Sequence, residues 1–300
     1  MAAHNDPAHW EALLPLASIM PLLRRARLES WAVPLFDTVD SLCTEGMLAA
    51  AEEARAPVII AIYSGLLDRP EGPALAAYVR TRAEGAAVPM SLMLDHGGSV
   101  EHCRRALDLG FTDVMFDGSE LPVDENIEVT REVVAIAHAR RAGAEAELGH
   151  VGVGSSYQAY GAQGRGFTDP ATVERFVAET GVDCLAVAVG TAHGHYEGEA
   201  RVDLVLLREI AQRVALPLVM HGGSGVPDEQ VRAAIGLGVA KVNIATDLFI
   251  AAGRVLAEAA ATTQSYFGLT RASVDRVRDE CMRCIALLGA EGRAGECVGS

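Results

Sequence analysis

Asp95 and His96 stand side by side where an apolar run stops, in SLMLDHGG (91–98). Taken alone, the pair reads equally well as a helix cap followed by a surface histidine. Two more histidines close similar runs, His193 in GTAHGH (190–195) and His221 in HGGSG (221–225). Three neutral imidazoles that leave one position open are the ligand set of a catalytic zinc ion. Successive residues of a strand point to opposite faces, so the neighbours are assigned different tasks. His96 holds the metal, and Asp95 turns toward a substrate to exchange a proton. Other polar residues fall at comparable places: Asp117 and Ser119, Glu147, and Asn243 with Thr246. Carboxylates beside a metal orient its ligands or balance its charge.

Two loops read as an anion cradle. HGGSG and NIAT (243–246) offer exposed backbone N–H groups, with the hydroxyls of Ser224 and Thr246 added. The plainer reading of HGGSG is a tight turn ahead of the next helix. Between Glu147 and Asp169 lies HVGVGSSYQAYGAQGRGFT, rich in Gly, Ser and Gln. A loop this long in a compact domain is usually functional, and a water-excluding lid is expected there. His150 and His195 border the site, whereas His102 and His138 fall within helices and are expected to be solvated.

The elements that must position these residues are legible as eight short apolar runs. They cover 31–36, 57–63, 89–95, 113–118, 144–150, 184–189, 217–222 and 239–245. Near-continuous apolarity fits strands covered on both faces. Helix-like segments intervene at 45–55, 100–110, 125–143, 170–181, 203–214 and 227–238. Asp169-Pro170 supplies an N-cap and first-turn pair, and Gly143 and Gly110 read as helix stops. Repeated strand–helix alternation implies parallel strands. At this length the economical solution is a single α/β domain, a (β/α)8 TIM barrel spanning 1–300. Residues 1–20 read as an extra N-terminal helix and 247–300 as a helical tail. A doubly wound sheet is the alternative, but no G-x-G-x-x-G follows the first strand. In such a barrel the site forms at the C-terminal ends of the strands, where the polar residues above fall.

The composition narrows the partners. Of 300 residues, half are apolar, and the net charge is −15. That balance disfavours nucleic acid and anionic membrane surfaces, which call for basic patches. It still allows a small anion held by backbone N–H groups. No basic-plus-apolar leader and no membrane-length apolar run are seen. The six cysteines are scattered, as in a reduced cytoplasmic protein. Cys281 and Cys284 form a lone C-x-x-C in a helical stretch. Lys241 is the one lysine among 25 basic residues.

The chain resembles the class II, zinc-dependent ketose-bisphosphate aldolases, the fructose- and tagatose-bisphosphate group. The resembling motifs are LDHG (94–97), GFTDVMFDGSELPVDENI (110–127), EAELG (145–149), TDP (168–170), AVAVGTAHG (186–194), PLVMHGGSGVPDE (217–229) and KVNIATD (241–247). The resemblance implies a lyase of carbohydrate metabolism. It would reversibly cleave a ketose phosphate to dihydroxyacetone phosphate and an aldehyde, through an enediolate stabilised by one Zn2+. It implies that His96, His193 and His221 bind the metal, that Asp95 is catalytic, and that Glu147 is an accessory carboxylate. It also implies that Gly194, Gly222, Gly223, Ser224, Asn243, Ile244, Ala245 and Thr246 bind dihydroxyacetone phosphate. A monovalent cation (Na+ or K+) near the phosphate and a homodimer or homotetramer are common in the family.

Four positions depart from the family's pattern. Asp37 stands where Asn is usual and Met93 where His is frequent. His195 stands where apolar residues are commoner, and the loop after ELGHVG lacks the usual Gly-Gly-acidic stretch. The nucleophile half of the site is therefore expected to be ordinary and the aldehyde half altered. Three other readings compete. Lys241 could form a Schiff base, although it lies in the body of strand 8. The ligand set could serve a metal-dependent hydrolase. The chain could also be a non-catalytic sugar-phosphate-binding relative.

Overall fold

Residues 15–159, 163–262 and 265–295 are described by a computed structural model. Eight parallel strands close in sequence order into a barrel. They are β1 (Val33–Asp37), β2 (Val58–Tyr63), β3 (Met90–Gly97), β4 (Asp113–Phe116), β5 (Gly143–Leu148), β6 (Cys184–Val187), β7 (Leu218–Met220) and β8 (Val239–Ile244). Closure is made by β1 against β8, with Leu35 opposite Asn243. Every strand but β2 is buried along its whole described length or nearly so. That burial explains the continuous rather than alternating apolar pattern.

The helices are α1 (Met20–Glu29), α2 (Ser41–Glu53), α3 (Ser64–Leu67), α4 (Gly72–Glu84), α5 (Val100–Asp108) and α6 (Val123–Ala139). They continue with α7 (Pro170–Thr180), α8 (Leu204–Arg213), α9 (Asp228–Gly236), α10 (Thr246–Thr262) and α11 (Tyr266–Leu287). The Asp169 cap forms as expected, its carboxylate accepting from the Ala171 N–H at 2.9 Å. Helix α4 was not expected. Its stretch is weakly amphipathic, and the small residues Gly72, Ala76 and Ala83 with Val79, at helical spacing, mark the buried face. Gly143 does not stop a helix. α6 ends at Ala139, Arg141 makes the left-handed turn (φ 60°), and Gly143 begins β5.

A helix forms at Met20–Glu29, and of the extra N-terminal helix expected over 1–20, residues 1–14 lie outside the described residues. Helix α1 covers the N-terminal end of the barrel. The Ile19 N–H and Gly143 N–H both donate to the buried Asp113 carboxylate, at 3.1 and 2.9 Å. The Arg27 guanidinium donates to the carbonyls of Val214, Ala211 and Leu216. With that end closed, ligands must enter from the C-terminal end. The tail forms α10 and α11, and α11 packs along α2. Cys281 and Cys284 lie one turn apart on the buried face of α11. Burial pushes the Cys284 thiol up to about 12, so this C-x-x-C is packing rather than a thiolate site. Among the described residues, no helix is long and apolar enough to cross a membrane.

Candidate metal centre and active site

The C-terminal ends of the strands open into a cleft of about 1190 Å³ lined by Asp37, Asp95, His96, Asp117, His150 and His193 among others. At its floor three imidazoles converge. His96 Nε2 lies 3.2 Å from His193 Nε2 and 3.0 Å from His221 Nδ1. They come from the end of β3, the loop after β6 and the residue just past β7.

A local irregularity lets both members of the Asp-His pair face inward. The pairing of β3 with β4 shifts register between Leu94 and Gly97, and His96 adopts φ 48°. A bulge re-aims side chains, and a non-glycine residue in this region is strained and held by its surroundings. As a result Asp95 Oδ2 sits 3.8 Å from His96 Nε2. The strict alternation expected from the sequence is broken at this one step.

Two of the rings are anchored from behind by carboxylates. His96 Nδ1 is 2.7 Å from Asp117 Oδ2, and His221 Nε2 is 2.9 Å from Glu145 Oε1. Each anchored nitrogen therefore donates its N–H. The nitrogens facing each other, His96 Nε2 and His221 Nδ1, are left as lone pairs 3.0 Å apart. Two lone pairs at that distance need a cation between them. The donor set therefore fits a divalent metal bound by imidazole. Without metal a proton can take that role. Burial opposes the His96 imidazolium, but Asp95, the Asp117 hydrogen bond and Glu147 outweigh it and raise its pKa to about 10. Burial and the neighbouring imidazoles hold His193 down to about 3.

Glu145 is held in turn by Lys241, whose Nζ donates to both carboxylate oxygens at 2.8 and 3.0 Å with both side chains fully buried. Burial alone would raise the Glu145 pKa, but Lys241 and His221 bring it to about 2. The lysine is thus engaged by Glu145 in the barrel interior, below the mouth of the cleft. Neither Glu145 nor Lys241 was assigned to the metal from sequence. A signal existed: Glu145 and Glu147 share one face of β5, and a buried carboxylate in a strand calls for a cation.

Glu147 Oε1 accepts from the Val151 N–H at 2.9 Å, while its Oε2 is buried without a hydrogen bond, 4.0 Å from His96 Nδ1. Burial, then Asp117, raises its pKa to about 8. Asp117, Glu147 and His96 form a second cluster of possible ligand atoms. Asn243 Nδ2 donates to Asp95 Oδ1 at 3.0 Å and so fixes that carboxylate at the cleft wall. Asp37 ends β1 beside them. It is buried, and burial followed by the Asp95 charge raises its pKa well above the ordinary aspartate value.

The two cradle loops are stitched together. The Gly223 N–H donates to the Asn243 carbonyl at 3.0 Å, and the Asp247 N–H donates to Ser224 Oγ at 3.2 Å. Gly222 (φ 65°) lies so close to the Ala192 backbone that a side chain there would collide with it. Tyr196 ties the same region, accepting from the Ala192 N–H and donating to the Gly222 carbonyl, each at 2.8 Å. Ala245 lines the cleft, Thr246 opens α10, Ile244 ends β8, and Gly194 (φ 85°) is open to solvent. The expected residues are therefore brought to one end of the barrel, although the Gly223 N–H is already engaged within the protein.

His150 lines the cleft with Nδ1 3.0 Å from Ser119 Oγ. His195 is exposed and does not line the cleft. His102 and His138 pair with Asp68 and Asp183 at 3.2 and 2.8 Å. The expected lid carries a 3-10 helix (Gly154–Ala159), and its Gly154 N–H and Gly152 carbonyl bond to the His193 backbone at 2.6 and 2.8 Å. Residues 160–162 of that loop lie outside the described residues.

Known proteins share this arrangement of chain. A family model described as fructose-bisphosphate aldolase class-II matches residues 17–293. A fructose-bisphosphate aldolase of Geobacillus stearothermophilus is 39% identical over 248 residues, 82% of this chain and 86% of that one. A 6-phospho-5-dehydro-2-deoxy-D-gluconate aldolase of Shouchella clausii (strain KSM-K16) is 42% identical over 234 residues, 77% of this chain and 79% of that one. The crystal structure of the YdjI aldolase from Escherichia coli K12 superposes with a TM-score of 0.84 at 32% identity, covering 93% of this chain and 99% of that one.

Proposed function

The chain belongs to the class II fructose-bisphosphate aldolase family and is an aldolase, a lyase, and from that membership we propose that it is zinc-dependent and cleaves a ketose phosphate to dihydroxyacetone phosphate and an aldehyde. The observation that carries the proposal is the convergence of His96, His193 and His221 nitrogens at 3.0–3.2 Å with carboxylates behind two of them. These three residues would hold the ion. Bound there, zinc would supply Lewis acidity to the charge that develops on the substrate oxygens as the bond breaks.

The chain's own groups account for the rest. The Asp95 carboxylate takes the proton of the C4 hydroxyl. The C3–C4 pair then moves toward the C2 carbonyl as the aldehyde forms, and a proton later delivered to C3 completes dihydroxyacetone phosphate. Asn243 orients Asp95 for this transfer. Glu147, with one oxygen free of hydrogen bonds beside His96, serves as the accessory carboxylate. The stitched loops with Gly194, Gly222, Gly223, Ser224, Asn243, Ile244, Ala245 and Thr246 bind the phosphate and contribute remote binding energy. Assembly as a homodimer or homotetramer belongs to the same reading, supported by the exposed Tyr266 and Phe267 at the start of α11.

Dialysis against EDTA, followed by metal analysis and assay, tests zinc dependence. The expected result is loss of the metal together with loss of aldol turnover, and recovery at one zinc per chain. Full turnover by protein shown to be metal-free would overturn it.

A further inference from the structure

The walls of the cleft are acidic. Among the described residues lining it, Arg69 is the one arginine or lysine, while Asp37, Glu71, Asp95, Asp117 and Glu120 are carboxylates. The Arg69 guanidinium is largely exposed and lies 3.5 Å from Glu71. Among the described residues lining the cleft, no surplus of positive charge is available to hold a second phosphate.

Asp37 sharpens the point. It lines the cleft from the end of β1, it is buried, and its Oδ1 has no hydrogen-bond partner in the protein. A buried polar atom without a partner is expensive, so its partner is expected from a ligand. A hydroxyl satisfies a carboxyl group in either protonation form, because it both donates and accepts. A phosphate dianion beside Asp37 would meet the charge of Asp95 in a desolvated site, and with no proton to donate it could satisfy Asp37 in only one of its two forms.

We propose that the aldehyde half of the substrate is an uncharged hydroxyaldehyde, so that the ketose carries one phosphate rather than two, and that Asp37 is the residue that selects it. This rests on the reading that dihydroxyacetone phosphate is the other half.

The test uses zinc-loaded full-length protein in two stages. Proton exchange at C3 of dihydroxyacetone phosphate is measured first, in deuterated water. Aldol synthesis is then followed by consumption of dihydroxyacetone phosphate with racemic glyceraldehyde or racemic glyceraldehyde 3-phosphate. We expect kcat/KM for glyceraldehyde to exceed that for its phosphate by at least about tenfold, the scale of one like-charge contact. In Asp37→Asn that preference should shrink by about the same factor. Equal or better use of the phosphorylated aldehyde overturns the proposal. So does the use of neither aldehyde by protein that exchanges, or an Asp37→Asn variant that lowers both rates equally. Absence of exchange sinks the aldolase reading itself and this inference with it. The wild-type preference decides the matter even where the variant does not fold.

Discussion

His96 Nε2 and His221 Nδ1 lie 3.0 Å apart, each on a ring whose other nitrogen is bonded to a carboxylate. A chain of contacts runs from the barrel interior to its mouth: Lys241, Glu145, His221, His96, Asp117. Its effect is to fix the tautomers of two imidazoles so that their lone pairs meet where only a cation is tolerated.

Metal binding should therefore expel a proton. The His96 pKa is raised to about 10 in the metal-free protein, so the ring is charged at neutral pH, while His193, lowered to about 3, is not. Protonation competes with the metal, so affinity should rise with pH and level off above the His96 pKa. Calorimetric titration of zinc near pH 7.5 in buffers of different ionisation enthalpy should give about one proton released per ion. A heat of binding independent of the buffer would contradict this.

Asp117 acts on the metal through His96. Asp117→Asn keeps an acceptor for the ring N–H but removes the charge, and should weaken zinc affinity by about 10–100-fold. Competition with a chelator measures it. Unchanged affinity would mean that the 2.7 Å contact does not tune the ligand.

Lys241 should prove structural. Lys241→Met leaves Glu145 as a buried carboxylate without its cation, at a cost of about 3–5 kcal/mol in denaturant unfolding. Replacing both residues by apolar ones should restore much of that stability yet lose metal, because His221 is then unanchored. Borohydride treatment with substrate should leave no adduct on wild-type protein. A reduced adduct on Lys241 would revive the Schiff-base alternative.

Asp95 should separate proton transfer from metal binding. Asp95→Asn should retain zinc but slow C3–C4 cleavage by about 10²–10⁴-fold, the usual contribution of a positioned general acid–base. Loss of zinc in that variant would assign Asp95 to the ligand set instead.

The barrel was legible because parallel strands buried on both faces leave unbroken apolar runs, and because β1 to β8 follow the chain in order. His96, His193 and His221 were legible because polar residues at strand ends have few structural reasons to be there. Helix α4 was not, since its small residues carry little periodic contrast. The inward turn of both Asp95 and His96 was also hidden. It depends on a register shift against β4, a relation between strands that no local pattern encodes. Glu145 and Lys241, 96 residues apart, pair for the same kind of reason.

Proton exchange at C3 of dihydroxyacetone phosphate tests the central claim most directly, because it requires no knowledge of the aldehyde. Zinc-loaded protein in deuterated water, followed by NMR, should exchange that proton, and EDTA should abolish the exchange. Metal-loaded protein that leaves the C3 proton in place would contradict the account.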